Sequence, residues 1–310
     1  MTEAQRWSEV RELGFITGMR MMFWIYRHIG AWAFSLVLQP VVLYYFLTNS
    51  NARRSSLDYL QRLHRHSSPN TSPRPNWISC YRHLLAFSRA TVDKLGVWAD
   101  SDMLASVQFP NRHRLMEQLD TGRGAILLGA HLGNMEVCRS LSRNNRRLKL
   151  NILVHTGNAD MFNHLLQEME IHCELELIEV SSLSPATAIH LAACVERGEF
   201  IVIMADRVPV ASGGRSRPVE FLGHPALFPE GPFILASLLK CPVYTVFCTR
   251  SKPGYQVNCE HFAQSIKLPR KSRDTALQNY MQQFARTLES NVRAAPLQWF
   301  NFYPYWDQAP

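Results

Sequence analysis

Beyond residue 76 the chain alternates between short unbroken apolar runs and longer amphipathic stretches. The runs at 125–130 (AILLGA) and 200–205 (FIVIMA) are too short for helices and lack the alternation of a half-exposed strand, so they are expected as strands buried on both faces. Further strands are expected at 150–155, 175–180 and 243–248. Helices are expected at 78–97, 135–141, 159–169, 185–197, 233–239 and 275–292, where apolar positions recur at helical spacing. Strands separated by helices of this length imply an α/β fold with a mostly parallel central sheet flanked by helices.

The N-terminal part reads differently. Residues 29–47 carry no formal charge and are interrupted only by Ser35, Gln39 and Pro40. That is close to the ~20 residues needed to cross a bilayer core. Pro40 removes an amide donor and favours a kink, so a re-entrant or interfacial hairpin fits as well as a span, with a buried helix of a soluble core as the alternative. Arg20 and Arg27 precede the run and Arg53 and Arg54 follow it, so charge sets no orientation. Residues 67–76 (SSPNTSPRPN) read as a linker. The expected organisation is a membrane-associated helical region over 1–66, a linker over 67–76 and a catalytic domain over 77–310.

Composition sharpens this. Charged residues are 19% of the 310, below the roughly 25% of an average soluble domain, yet the formal net charge is +8. An anionic partner is expected: nucleic acid, anionic lipid or an acidic carrier protein. The seven cysteines include no Cys-x-x-Cys pair and fit reduced thiols.

The chemistry is concentrated in Gly129-Ala130-His131-Leu132-Gly133-Asn134-Met135-Glu136. A buried strand ends at His131, and Asn134 is suited to cap the next helix, with Glu136 in its first turn. On one continuous helix the two side chains would diverge, but a strand–loop–helix corner can return the carboxylate to the imidazole. His131 is then a candidate general base and Glu136 its orienting partner. The alternatives are a structural histidine at a strand end and a carboxylate that merely stabilises a helix terminus.

In order along the chain these blocks resemble the lipid A late acyltransferases, the lauroyl and myristoyl transferases of the lysophospholipid acyltransferase superfamily. The resemblance runs from about Arg20 to Trp306. It rests on the apolar N-terminal segment, His131 with an acid five positions on, and Ala205-Asp206-Arg207. It continues through residues 219–226 (VEFLGHPA), Phe228-Pro229-Glu230-Gly231-Pro232, Cys241-Pro242-Val243 and the closing Pro296–Phe302 block.

The resemblance implies direct transfer of an acyl chain from a thioester, on acyl carrier protein or coenzyme A, to a lipid or glycolipid hydroxyl. It implies no resident cofactor and no metal, and a place on the cytoplasmic face of a bacterial inner membrane. Asp206 and Arg207, after a buried strand, would join the substrate site, Arg207 suiting an anionic group; an ordinary ion pair is the alternative. Glu230 and Gly231 open a helix whose amides suit a phosphate or oxyanion, unless they form only a turn. His155 stands where the family has an arginine, which points to a different acceptor.

Two basic clusters, within 139–149 and 250–273, are candidate docking surfaces or simply solvated faces. No nucleic-acid motif is present, and neither His-Glu-x-x-His nor Gly-x-Ser-x-Gly occurs, which weakens metal-hydrolase and serine-hydrolase readings. A non-catalytic lipid-binding scaffold remains the non-enzymatic alternative.

Overall fold

Strand residues of alternate parity face opposite sides of a sheet, and the buried runs of this chain are apolar at both parities. A computed structural model describes residues 31–67, 72–99, 107–137, 147–154, 175–179, 185–208, 215–252 and 254–308. Ile126, Leu128, Ile201 and Ile203 enter the larger of two apolar clusters flanking the sheet, while Ala125, Leu127, Phe200 and Val202 enter the other.

The elements follow in chain order. Helices α1 (Ala31–Thr48), α2 (Ser50–Arg65) and α3 (Trp77–Ala99) lead to β1 (Val107–Gln108), α4 (Arg112–Asp120) and β2 (Ile126–Gly129). Then come β3 (Leu150–Val154), β4 (Leu175–Glu179), α5 (Pro185–Glu196), β5 (Phe200–Met204), β6 (Ser216–Phe221) and β7 (His224–Pro229). The remainder is α6 (Gly231–Leu239), β8 (Val243–Arg250), β9 (Tyr255–Ala263) and α7 (Arg273–Ala294). Seven of the described strands form one sheet in the order β1-β9-β8-β2-β5-β3-β4. From β8 to β4 neighbours are parallel; β9 pairs antiparallel with β8.

The expected strands and helices therefore occur within a few residues of their predicted bounds, save 159–169 and most of 135–141, which lie outside the described residues. Strand β1 and helix α4 were not expected, and three further features went unforeseen. Tyr255, Val257 and Cys259 alternate with exposed or half-buried residues in β9, a period-2 signal hidden within a stretch weighed only for its charge. The β6–β7 hairpin turns at Leu222 and Gly223, with φ of 51° and 75°, the left-handed pair a tight hairpin turn requires. Helix α2 is the third.

Helix α2 also corrects the expected domain boundary. Its stripe of Tyr59, Leu60 and Leu63 lies in the larger cluster, with α6, α7 and the Trp299 region, and Tyr59 donates a hydrogen bond to the Pro296 carbonyl at 2.7 Å. The stretch at 67–76 does not separate a membrane region from the core. Helix α1 buries only Leu38 and Val42 of the residues shown, against α3, and leaves Leu36, Val37, Val41, Leu43, Tyr44, Tyr45 and Leu47 exposed. Among the described residues no helix is long and apolar enough to cross a membrane.

His83 of α3 joins these layers. It is fully buried; Nε2 lies 2.9 Å from the Trp299 carbonyl and Nδ1 2.9 Å from the Ser56 hydroxyl. A carbonyl can only accept, so Nε2 carries the hydrogen and Nδ1 accepts from Ser56, which makes this a neutral imidazole. Burial pushes its pKa down to about 4, against the opposing pull of the Trp299 carbonyl. A histidine with a depressed folded-state pKa stabilises fully above its unfolded value near 6.5 and loses that stability as pH falls toward 4. Between pH 7 and pH 4 the wild type is expected to lose roughly 3 kcal/mol through this group. His83→Gln, which keeps one donor and one acceptor, is expected to show a correspondingly flatter slope in urea unfolding across that range. An unchanged slope would exclude His83 as the source.

Candidate active site

Register builds the site. In the parallel pair β2–β5, Gly129 stands opposite Met204. Two residues further on, beyond both C-terminal ends, His131 and Asp206 emerge side by side, where open parallel sheets place ligands. His131 Nδ1 lies 2.7 Å from Asp206 Oδ1, and the His131 backbone N–H donates to Oδ2 at 3.0 Å.

Asp206 is fully buried. Its Oδ2 also accepts from Trp299 Nε1 at 3.1 Å and Asn301 Nδ2 at 3.4 Å, and its backbone carbonyl accepts from Tyr305 Oη at 2.6 Å. Burial pushes the carboxyl up, but the His131 charge, its hydrogen bonds and the Arg207 charge outweigh that and hold it at about 2. It is therefore a carboxylate at neutral pH, able only to accept. Nδ1 must carry the hydrogen, which leaves the Nε2 lone pair available as a base.

This corrects the expectation that Glu136 orients His131. Asn134 does cap the turn that follows, its Oδ1 accepting from the Glu136 N–H at 3.2 Å. Glu136 lines the same cavity as His131, but the carboxylate on Nδ1 is Asp206. Arg207 is present too, with Nε 2.6 Å from Asn301 Oδ1, Nη2 on the Phe300 carbonyl and its guanidinium 5.7 Å from the Tyr303 ring centroid. Asp206 thus meets His131 as a buried carboxylate, and Arg207 lines the same cavity as His131.

Glu230 and Gly231 sit elsewhere. Glu230 Oε1 pairs with Arg217 Nε at 2.9 Å, Arg217 reaches Asp274 at the start of α7, and neither residue lines this cavity. His155 lies outside the described residues. The site residues that sequence reasoning missed are Trp299, Asn301 and Tyr305. They fall in or just beyond the block read as a closing family motif, but nothing in a linear pattern says that its donors converge on Asp206.

The pair opens onto a cavity of about 600 Å³. Thr91, His131, Glu136, Arg207 and Tyr303 are its polar residues among those described; Leu127, Leu150, Val202, Val246 and Val257 are among its many apolar ones. Since Gly129 and Met204 mark the strand ends, the registers Leu127–Val202 and Leu150–Phe200 run progressively deeper, so Leu150 is the innermost of these wall residues. The arrangement can remove a proton from a hydroxyl held near Nε2 while an apolar chain lies along the sheet. Among the described residues no group of three His, Cys, Asp or Glu side chains could hold a metal ion.

The corner after His131 depends on Gly133. Its N–H donates to the Gln298 carbonyl at 2.8 Å, and Asn134 N–H donates to the Cys248 carbonyl at 2.7 Å. The φ of Gly133 is +72°, and a Cβ there would lie 1.9 Å from the Cys248 carbonyl oxygen.

A family model described as bacterial lipid A biosynthesis acyltransferase matches residues 83–308, well over half of the chain. No curated protein matches.

Gly133→Ala combines left-handed strain with a backbone collision and is expected to cost roughly 3–5 kcal/mol in urea unfolding. Gly122→Ala is the control, since φ is also +72° there but nothing lies within 4 Å of the new Cβ. It is expected to cost only about 1–2 kcal/mol, and equal losses at the two sites would refute the close-approach argument.

Proposed function

The chain belongs to the bacterial lipid A biosynthesis acyltransferase family and is an acyltransferase, and we propose that it moves a fatty acyl chain from a thioester to a lipid or glycolipid hydroxyl with His131 as general base. The observation that carries this is the buried Asp206 carboxylate on Nδ1, with the other face of His131 turned to an apolar cavity.

The acyl chain of an acyl carrier protein or coenzyme A thioester lies along the sheet, where each buried methylene contributes about 0.8 kcal/mol. The acceptor hydroxyl gives its proton to His131 Nε2 as its oxygen attacks the thioester carbonyl. Among the described residues Arg207, held by Asn301 and Phe300, is the arginine that lines the cavity and can meet the developing oxyanion. As the tetrahedral species collapses, the C–S bond breaks, the ester remains on the acceptor and the imidazolium returns its proton to the thiolate. Glu136, the carboxylate that lines the cavity among the described residues, is available to the acceptor. The exposed apolar side chains of α1 rest on the cytoplasmic leaflet of the inner membrane and bring the lipid to the site.

The test is transfer of a radiolabelled acyl chain in membranes, read beside thermal unfolding. His131→Ala is expected to lose about 10²–10⁴-fold in rate while staying folded. In Asp206→Asn the amide oxygen takes the Oδ2 place, where three donors converge, so the NH2 faces Nδ1. That forces the wrong tautomer, a change worth about 10⁴-fold in a comparable triad. Glu136→Gln is expected to retain more activity than Asp206→Asn; the reverse order would restore Glu136 as the orienting partner. More than half of wild-type activity in folded His131→Ala would falsify the base assignment.

Chain length gives a second test. Wild type is expected to show a sharp optimum across thioesters of graded length. Leu150→Ala deepens the cavity and is expected to move that optimum about two carbons longer, since one methylene is worth roughly 1–3 kcal/mol of discrimination in a closed pocket. A flat profile, or an optimum unmoved by the variant, would show that the chain does not lie along this wall.

A further inference from the structure

Helix α3 walls a second cavity on a different face. Phe87 and Thr91 line the catalytic cavity, whereas Arg82 and Arg89 line a neighbouring one of about 490 Å³. At 100° per residue Arg82 and Arg89 lie about 20° apart around the axis and about 10 Å apart along it, while Thr91 is on the opposite side from Arg82. The end of β8 completes the wall with Arg250 and Lys252. Four cations thus surround one opening.

Their charge is little compensated. Among the described residues the single carboxylate at ion-pair distance from any of the four is Asp93, whose Oδ2 lies 2.9 Å from Arg250 Nη1. Asp93 is itself buried and accepts from Tyr255 Oη. Arg250 is further fixed by its backbone, whose N–H donates to Gln298 Oε1 at 2.7 Å and whose carbonyl accepts from Gln298 Nε2 at 2.9 Å. A guanidinium held by a buried carboxylate and three further cations describe a site complementary to a compact, multiply charged oxyanion.

The two cavities share Ala90 and Gly133, and Gly133 is two residues from His131. An anion bound here would belong to a molecule reacting next door. We propose that this cavity binds a phosphate ester of a substrate, either the phosphopantetheine arm of the donor or a phosphate on the acceptor. This rests on the acyl-transfer reading for its substrates, though not for the phosphate site itself.

The experiment uses the full chain in detergent, with Arg89→Gln and Lys252→Gln; Arg250 is left intact because it partners buried Asp93. Inorganic phosphate titrated by calorimetry is expected to bind wild type, with about tenfold weaker affinity in each variant, the usual size of a lost charge-assisted contact. This needs no catalysis. If phosphate binding follows the cations while no transfer is detectable, the acyl-transfer reading fails and the site stands. In the kinetic arm each variant is expected to raise KM about tenfold for the phosphate-bearing substrate, with kcat within about threefold. Loss of that rise with an acyl-N-acetylcysteamine donor, which has no phosphate, identifies the donor as the source. Loss of it with a dephosphorylated acceptor identifies the acceptor. Variants that bind phosphate like wild type, or a KM rise that survives both phosphate-free substrates, would overturn the proposal.

Discussion

A carboxylate cut off from water has to be surrounded by donors, and the architecture around Asp206 answers that requirement. The cost of burying an unpaired charge is several kcal/mol, so everything that satisfies Asp206 is held in place with it. The strand end at His131 supplies a backbone and a ring N–H; the C-terminal segment supplies Trp299 and Asn301. The same Trp299 offers its carbonyl to buried His83, which tethers α2 and α3. One ion therefore binds the sheet, the N-terminal helices and the C-terminal segment into a single object.

The split of labour between the two sheet faces follows from packing. One face is filled by α2, α5, α6, α7 and the aromatic C-terminal segment, with Phe221, Phe228, Phe284, Trp299 and Tyr305 in mutual ring contact. The other carries the cavity. Interiors tolerate few voids larger than a water, so a cavity this size on one side is sustained by close packing on the other.

The parallel strands were legible because burial on both faces leaves no polar position in runs such as 126–129 and 200–204. His131 was legible because it ends such a run. Its partner was not. Which carboxylate meets an imidazole beyond a strand end depends on the register of the neighbouring strand, and Asp206 lies 75 residues away. Glu136, nearer along the chain, was the natural local choice. The second cavity was invisible for a related reason. Arg250 and Lys252 stood out as part of a basic stretch, but Arg82 and Arg89 belong to an amphipathic helix whose charges look like ordinary solvated positions. The boundary drawn at 67–76 rested on composition, and a Pro-rich stretch says nothing about whether the helices on either side share a core, as Tyr59, Leu60 and Leu63 do here.

The dependence of Asp206 on Trp299, Asn301 and Tyr305 has a temporal side. A ribosome delivers residues in order, and domains assemble as their segments emerge. His131 and Asp206 are made long before the donors that make a buried charge tolerable there. Until Trp299 and Asn301 are in place the Asp206 carboxylate has only the two N–H donors of His131. Maturation of the catalytic pair is thus expected late in synthesis, and a chain released before Trp299 lacks both the side-chain donors and the aromatic packing that the C-terminal segment brings to the sheet.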